Sequence, residues 1–204
     1  MIALPTRPIL LVISAPSGGG KTTVCERMLA TTPGLTRIVT CTTRPPRVGE
    51  QNGVDYWFLD SNTFQDRLAA GEFLEHAIVY GHYYGTPRRD VEKLLEQGKD
   101  AIVGLDVQGV HTVKLLSEKN PLLGNALVTV FLTPRSIDEL AARLRRRGLD
   151  SADVVAKRLE TARAEIAQWQ MFDYVILSST IDEDLKRVQA IYTAEKLRVR
   201  RTGR

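Results

Sequence analysis

Cysteine is nearly missing from this chain of 204 residues: Cys25 and Cys41 are the only two. That is too few for a disulfide framework or a thiolate metal cluster, so a reducing compartment, the cytoplasm, is the expectation. Histidine is equally scarce, and His76, His82 and His111 do not stand at metal-ligand spacing, which argues against a metal held by a protein cage. Long apolar runs are absent too. The longest uncharged one, PILLVISAP (8–16), is under half of the roughly 20 residues that cross a bilayer. It is followed by SGGGK rather than a small-residue cleavage site, so it does not read as a signal peptide. No repeat and no low-complexity linker occurs, and 25% charged against 43% hydrophobic residues is the balance of an ordinary globular chain.

Nor is there a broad excess of charge of one sign. The net charge is +4, yet five of the 28 basic residues fall in the last nine positions, and the remaining 23 face 24 acids. The body is close to neutral, so neither a nucleic acid nor a membrane surface is an expected partner. Monomer and homo-oligomer both stay open.

What is present is an alternation of strand and helix patterns. Residues 9–15 form a β-branched apolar run suited to a buried parallel strand, followed by a helical pattern from Thr22 to about Ala30. Further extended stretches are expected at 37–43, 56–59, 73–80, 101–106, 126–132 and 174–177, with GHYYGT (81–86) as a turn. Thr63 with Asp66 resembles a capping box for a short helix ending near Gly71, and another helix is expected over 89–97. Two charged helices, one capped by Ser136 with Glu139 and one starting at Ser151, flank a break at Arg147-Gly148; Thr180 with Glu183 caps a last helix. Such βα alternation predicts a parallel sheet with helices on both faces. The non-alternating stretch after Arg44 predicts a small mixed insert, and the helix pair a lid. Trp57 and Trp169 read as packing residues, and both cysteines as small buried hydrophobes.

The strongest local signal is APSGGGKT, the residues Ala15, Pro16, Ser17, Gly18, Gly19, Gly20, Lys21 and Thr22, lying between a strand and a helix. This is the context of a phosphate-binding P-loop: glycines let backbone N–H groups converge on a polyphosphate, and the helix start adds partial positive charge. Lys21 supplies a mobile cation for β- and γ-oxygens, and the Thr22 hydroxyl is placed for Mg²⁺. Ala15 stands where the pattern begins with glycine. Asp106, at the carboxyl end of an expected strand, could hold the Mg²⁺, or could instead cap a helix.

A P-loop alone leaves nucleotide hydrolases and kinases both open. A monophosphate kinase needs a second anion site, and Arg44-Pro45-Pro46-Arg47 offers two guanidiniums on a stiff segment, with Tyr56, Tyr83 and Tyr84 nearby in sequence. Glu75 is a carboxylate that could accept from the two donors on one edge of guanine.

With SAPSGGGKTT (14–23), TCTTRPPRVGEQNGVDYWF (40–58), GEFLEHA (71–77), YGHYYGT (80–86), LDVQG (105–109) and RRRGLDSADVVAKRL (145–159) in this order, the chain resembles the guanylate kinases. The resemblance implies an α/β fold with a P-loop NTPase-type parallel sheet flanked by helices, a mixed α/β GMP-binding insert and a helical lid. The divisions expected are a core of 1–43, 90–134 and 170–204, an insert of 44–89 and a lid of 135–169. It implies reversible, Mg²⁺-dependent phosphoryl transfer from ATP to GMP. ATP would lie on residues 15–23, through Thr23. Arg44, Arg47, Tyr56 and Tyr84 match positions that bind the GMP phosphate; Glu75 and Thr86 match guanine-binding positions, and Thr40 keeps a hydroxyl near guanine O6. Arg143, Arg147 and Arg158 match lid arginines that, with Lys21, carry the catalysis. Gly104 stands where the family usually has an acid against the guanine amine, and SSTID (178–182) replaces an adenine-side turn. Two other readings remain: a non-catalytic guanylate-kinase-like module that binds peptide, and a P-loop kinase with another monophosphate acceptor.

Overall fold

The computed structural model describes residues 7–146 and 152–199. Its centre is β1 (Leu10–Ser14), buried along its whole length. Leu10 and Val12 point into one apolar cluster and Leu11 and Ile13 into another. An uninterrupted apolar run is what a strand with both faces covered requires, because successive side chains enter different cores.

Around β1 stand β2 (Leu35–Arg37), β7 (Asp100–Gly104), β8 (Leu127–Thr133) and β9 (Tyr174–Leu177), in the order β2-β7-β1-β8-β9 and all parallel. One face is covered by α3 (Arg88–Glu96), α4 (Val107–Lys119) and α5 (Pro121–Ala126) through Val91, Val110 and Leu123. The other is covered by α1 (Lys21–Thr31) and α8 (Ile181–Leu197) through Val24, Met28 and Val188.

A second sheet, β4-β3-β6-β5, is built from β3 (Cys41–Thr42), β4 (Trp57–Phe58), β5 (Phe73–Val79) and β6 (His82–Pro87), with α2 (Ser61–Ala69) packed on it through Phe64 against Phe73. Its antiparallel β5–β6 hairpin pairs Glu75 with Thr86. Lastly, α6 (Ile137–Arg146) and α7 (Ala152–Ile166) pack through Leu140, Leu144, Val155 and Ala162.

Several expectations are corrected. Residues 37–43 are not one strand: β2 and β3 belong to different sheets, so the second sheet begins before residue 44. Residues 81–86 are mostly strand, because β5 supplies a ladder for them. Asp60, not Thr63, caps α2, accepting both the Thr63 N–H at 2.9 Å and its hydroxyl at 2.6 Å. The span between Asp106 and Leu127, given no element above, holds α4 and α5. Trp57 and Trp169 are exposed rather than packed. The Ser136 and Thr180 caps are present, while the break at Arg147-Gly148 and the Ser151 helix start lie outside the described residues.

At the amino end of the main sheet, buried Asp100 gathers distant segments. One oxygen accepts the Ile9 N–H at 2.8 Å and Lys196 Nζ at 3.0 Å, and the other accepts the Tyr192 hydroxyl at 2.5 Å. Removing this carboxylate takes the ion partner from half-buried Lys196 and the acceptor from two donors. Asp100→Ala is therefore expected to cost about 3 kcal/mol of unfolding free energy, read as a lower urea midpoint at unchanged slope; a loss below about 1 kcal/mol would contradict the clamp.

Candidate active site

The chain leaves β1 at the carboxyl edge of the main sheet and turns at once. Gly19 N–H donates to the Pro16 carbonyl at 2.8 Å, and Gly20, at φ +91°, caps α1 in a conformation that a side chain resists. Ala15 is buried, and its Cβ lies 2.8 Å from where a Cβ on residue 19 would stand, so the methyl in place of the motif's first glycine is accommodated by glycine at 19. Leu144 of α6 comes as close to Gly18, which puts the helix pair directly over the loop. Pro16 is buried, Ser17 is half-buried at the loop's turn, and Thr22 and Thr23 are exposed on the first turn of α1.

Lys21 and Thr22 line one crevice with Thr40 and Tyr56. Residues expected on the nucleoside-triphosphate side and on the acceptor side thus share a cleft between the two sheets. Arg37 joins them there, anchored by donation to the Asp55 carbonyl at 3.2 Å. No motif marked Arg37; its place depends on β2 ending beside the insert.

On the acceptor side, Arg44 is half-buried. It pairs with Glu50 at 2.8 Å, donates to the Pro45 carbonyl at 2.7 Å and lies 5.4 Å from the centre of the Tyr56 ring. Tyr84 meets Tyr56 edge-on and reaches Arg44 as well. The guanidinium is therefore held in one orientation before any anion arrives, while Arg47 is exposed at the rim.

Deeper in lies Glu75, 5% exposed, accepting the Thr86 hydroxyl at 2.5 Å. The first turn of α4 presses against it: a Cβ on Gly109 would stand 2.5 Å from Glu75 Oε2 and 3.3 Å from Asp106 Oδ1. Burial pushes the Glu75 carboxyl from the ordinary 4.5 up to about 7, despite the Thr86 hydrogen bond, with Asp106 adding to the rise and Lys21 opposing it.

Asp106 takes the helix-cap role that its position allowed and keeps one oxygen aside. Oδ1 caps α4 by accepting the Gly109 N–H at 2.7 Å, and Oδ2 is buried with no hydrogen-bond partner. Among the described residues no three His, Cys, Asp or Glu side chains converge as a metal cage. An acid oxygen left unpaired near the start of α1, together with the exposed Thr22 hydroxyl, is a donor set that suits a hard cation arriving with its own phosphate ligands. Burial pushes Cys25, on the crevice wall, up to about 12 and Cys41 to about 11, so both remain thiols.

The helix pair brings its own charges. Arg143 is tied down, to Glu139 at 2.6 Å and to the Ser178 hydroxyl at 3.3 Å. That loop is itself pinned by buried Asp184, which accepts the Ser178 hydroxyl at 2.6 Å and the Ser179 N–H at 3.0 Å. Arg158 on α7 lies over the Tyr80 ring, 5.0 Å from its centre. Arg147 lies outside the described residues. Glu165, unmarked by any motif, faces the Ser17 backbone N–H; burial raises its carboxyl, which also senses Lys21 and Asp106.

The family model for guanylate kinase matches residues 7–195. The chain belongs to the guanylate kinase family. It is 44% identical over 200 residues to the guanylate kinase of Sphingopyxis alaskensis, covering 98% of this chain and 88% of that one. It is 43% identical to that of Symbiobacterium thermophilum, covering 98% and 92%. The crystal structure of the Anaplasma phagocytophilum guanylate kinase superposes with a TM-score of 0.77 at 31% identity, covering 96% of this chain and 90% of that chain.

Gly104 stands where an acid against the guanine amine is usual, and its nearest neighbours are Lys21 and Cys25. A side chain there would meet Lys21 Cγ at 3.2 Å and Cys25 Sγ at 3.6 Å. The acid beside Glu75 is Asp106 itself, so Gly104 leaves the Glu75 pocket unchanged and instead gives room to the Lys21 stem.

Because folding raises the Glu75 pKa, the neutral carboxyl is the form the unliganded fold prefers. Its contribution to stability is complete below about 4.5 and is lost as pH climbs to about 7. Urea unfolding of the unliganded protein across this window is expected to show a decline that Glu75→Gln lacks; parallel curves for the two proteins would disprove the assignment.

Proposed function

We propose that this chain transfers the γ-phosphoryl group of ATP reversibly to GMP, giving ADP and GDP. The observation that carries the reading is the shared crevice: Lys21 and Thr22 of the phosphate loop face Thr40 and Tyr56 of the acceptor side across one cleft. Buried Glu75 and Thr86 close the acceptor end.

The phosphate loop, residues 15–23, takes the triphosphate through backbone N–H groups and the Lys21 ammonium. Arg44 and Arg47, with the hydroxyls of Tyr56 and Tyr84, take the GMP phosphate; the Glu50 pairing leaves Arg44 oriented for it. Glu75, once ionised, accepts from guanine N1–H and N2–H, Thr86 supports it, and the Thr40 hydroxyl is available to O6. Adenine offers no such pair of donors and would leave a buried carboxylate uncompensated.

The nucleophile is a phosphate oxygen already ionised at neutral pH, so no general base is required, and none is built here. The work is alignment and charge compensation. Lys21 serves from the loop, and Arg143, Arg147 and Arg158 serve from the lid of residues 135–169; to do so Arg143 exchanges its Ser178 contact for a phosphate oxygen. Mg²⁺ carried in with ATP would be held by Thr22 and Asp106 Oδ2, and supplies further positive charge at the β- and γ-oxygens.

An intact Lys21-Thr22 pair sets the chain apart from a peptide-binding module. We place the activity in the cytoplasm; among the described residues no helix is long and apolar enough to cross a membrane.

Lys21→Ala is expected to lower kcat by about a thousandfold with far-UV circular dichroism and melting unchanged; retained turnover would refute its role. Glu75→Gln should raise KM for GMP roughly 10- to 100-fold and leave KM for ATP within about twofold. In the parent, KM for GMP should fall as pH rises through about 7, the folded pKa of Glu75, a slope the variant loses. Equal effects on both substrates, or competition between GMP and ATP for one place in a binding titration, would remove the assignment.

A further inference from the structure

The hairpin joining β5 to β6 is closed by two residues, Tyr80 and Gly81, between the paired Val79 and His82. Both have positive φ, +50° and +81°. A two-residue turn of this kind favours Asn-Gly or Asp-Gly, since an aromatic side chain has no local hydrogen bond to offset the left-handed backbone. Among the described residues Tyr80 is the one non-glycine with positive φ. Its side chain gains little from burial either, being 47% exposed. A strained, exposed aromatic residue points to a task for its ring.

The ring's neighbour supplies that task. The Arg158 guanidinium lies over it at 5.0 Å. Arg158 comes from α7, on the same helix face as Glu165, seven residues on. Glu165 faces the Ser17 N–H of the phosphate loop, so this face of α7 looks into the crevice. A guanidinium held against a ring uses its flat face and keeps its in-plane N–H donors for oxygens. The contact can therefore hold Arg158 without competing with phosphate.

We propose that Tyr80 is a positioning residue for phosphoryl transfer, its ring steadying Arg158 from the acceptor-side hairpin so that lid and acceptor lobe meet through one contact. This rests on the reading of Arg158 as a charge-compensating lid residue. The ring acts in the closed complex, where Arg158 must stay aligned with the moving group, and not on binding of either nucleotide alone. Its loss thus appears in kcat rather than in KM.

The test is steady-state kinetics on four variants of the full chain, with melting curves alongside. Tyr80→Asn removes the ring and relaxes the turn, so it should melt no lower than the parent. It should lose about three- to tenfold in kcat, with KM for ATP and for GMP within about twofold. Tyr80→Phe, which keeps the ring face, should recover most of that loss. In an Arg158→Ala background, itself strongly impaired, adding Tyr80→Asn should change kcat no further. Parental kcat in Tyr80→Asn, no recovery in Tyr80→Phe, or a fully additive double variant would overturn the role of Tyr80 while leaving Arg158 in place. Parental kcat in Arg158→Ala would instead overturn the reading of Arg158, and the proposal with it.

Discussion

The constraint on which everything else rests is the end of β1. A strand buried on both faces has to leave the sheet with its last backbone groups unpaired, and here it leaves through a glycine-rich turn into the start of α1. The unsatisfied N–H groups of that turn and of the helix start all face one way, toward the carboxyl edge of the sheet. Lys21 is the first residue of the helix, so its ammonium is delivered to the same place. β7 ends alongside at Gly104, and two residues on, Asp106 caps α4, which brings an acid to the same edge of the sheet. The insert sheet then needs only to lay Tyr56 and Glu75 against this edge for two anions to meet there.

Much of this can be read from residue order because its causes are local. The phosphate loop depends on glycines and a lysine within a few positions, and the core strands announce themselves by unbroken apolar runs. Reading failed where a partner decides. GHYYGT looks like a turn because it carries two glycines, yet β5 offers it a ladder. Asp60 outcompetes Thr63 as a cap because a carboxylate can take both the amide and the hydroxyl of Thr63 at once. α4 is obscured by β-branched residues and Gly109, which lower helix propensity, and packing on the sheet overrides that. Arg37 and Glu165 carry no motif, and Tyr80 is only the edge of one; all three have their contacts with neighbours distant in the chain.

Electrostatically, the crevice wall carries two cations, Lys21 and Arg37, and buried carboxyls lie within reach of Lys21. Glu75 and Glu165 each sense both Lys21 and Asp106, and burial raises both of these glutamates. Without ligands, burial favours the protonated form of Glu75 and of Glu165. Hydrogen-bond donors brought against Glu75 would reverse that preference there. The arrangement therefore couples recognition to ionisation, which a pocket of neutral hydrogen-bonding groups would not do.

Asp106 illustrates how tightly these parts are shared. One of its oxygens is spent on the first turn of α4, the turn that carries Gly109 against Glu75; the other is buried without a hydrogen-bond partner. A change at this single residue loosens a helix start and shifts the wall behind Glu75. The start of α4 and the surroundings of Glu75 are thus not independent features of this chain, and neither can drift far without dragging the other along.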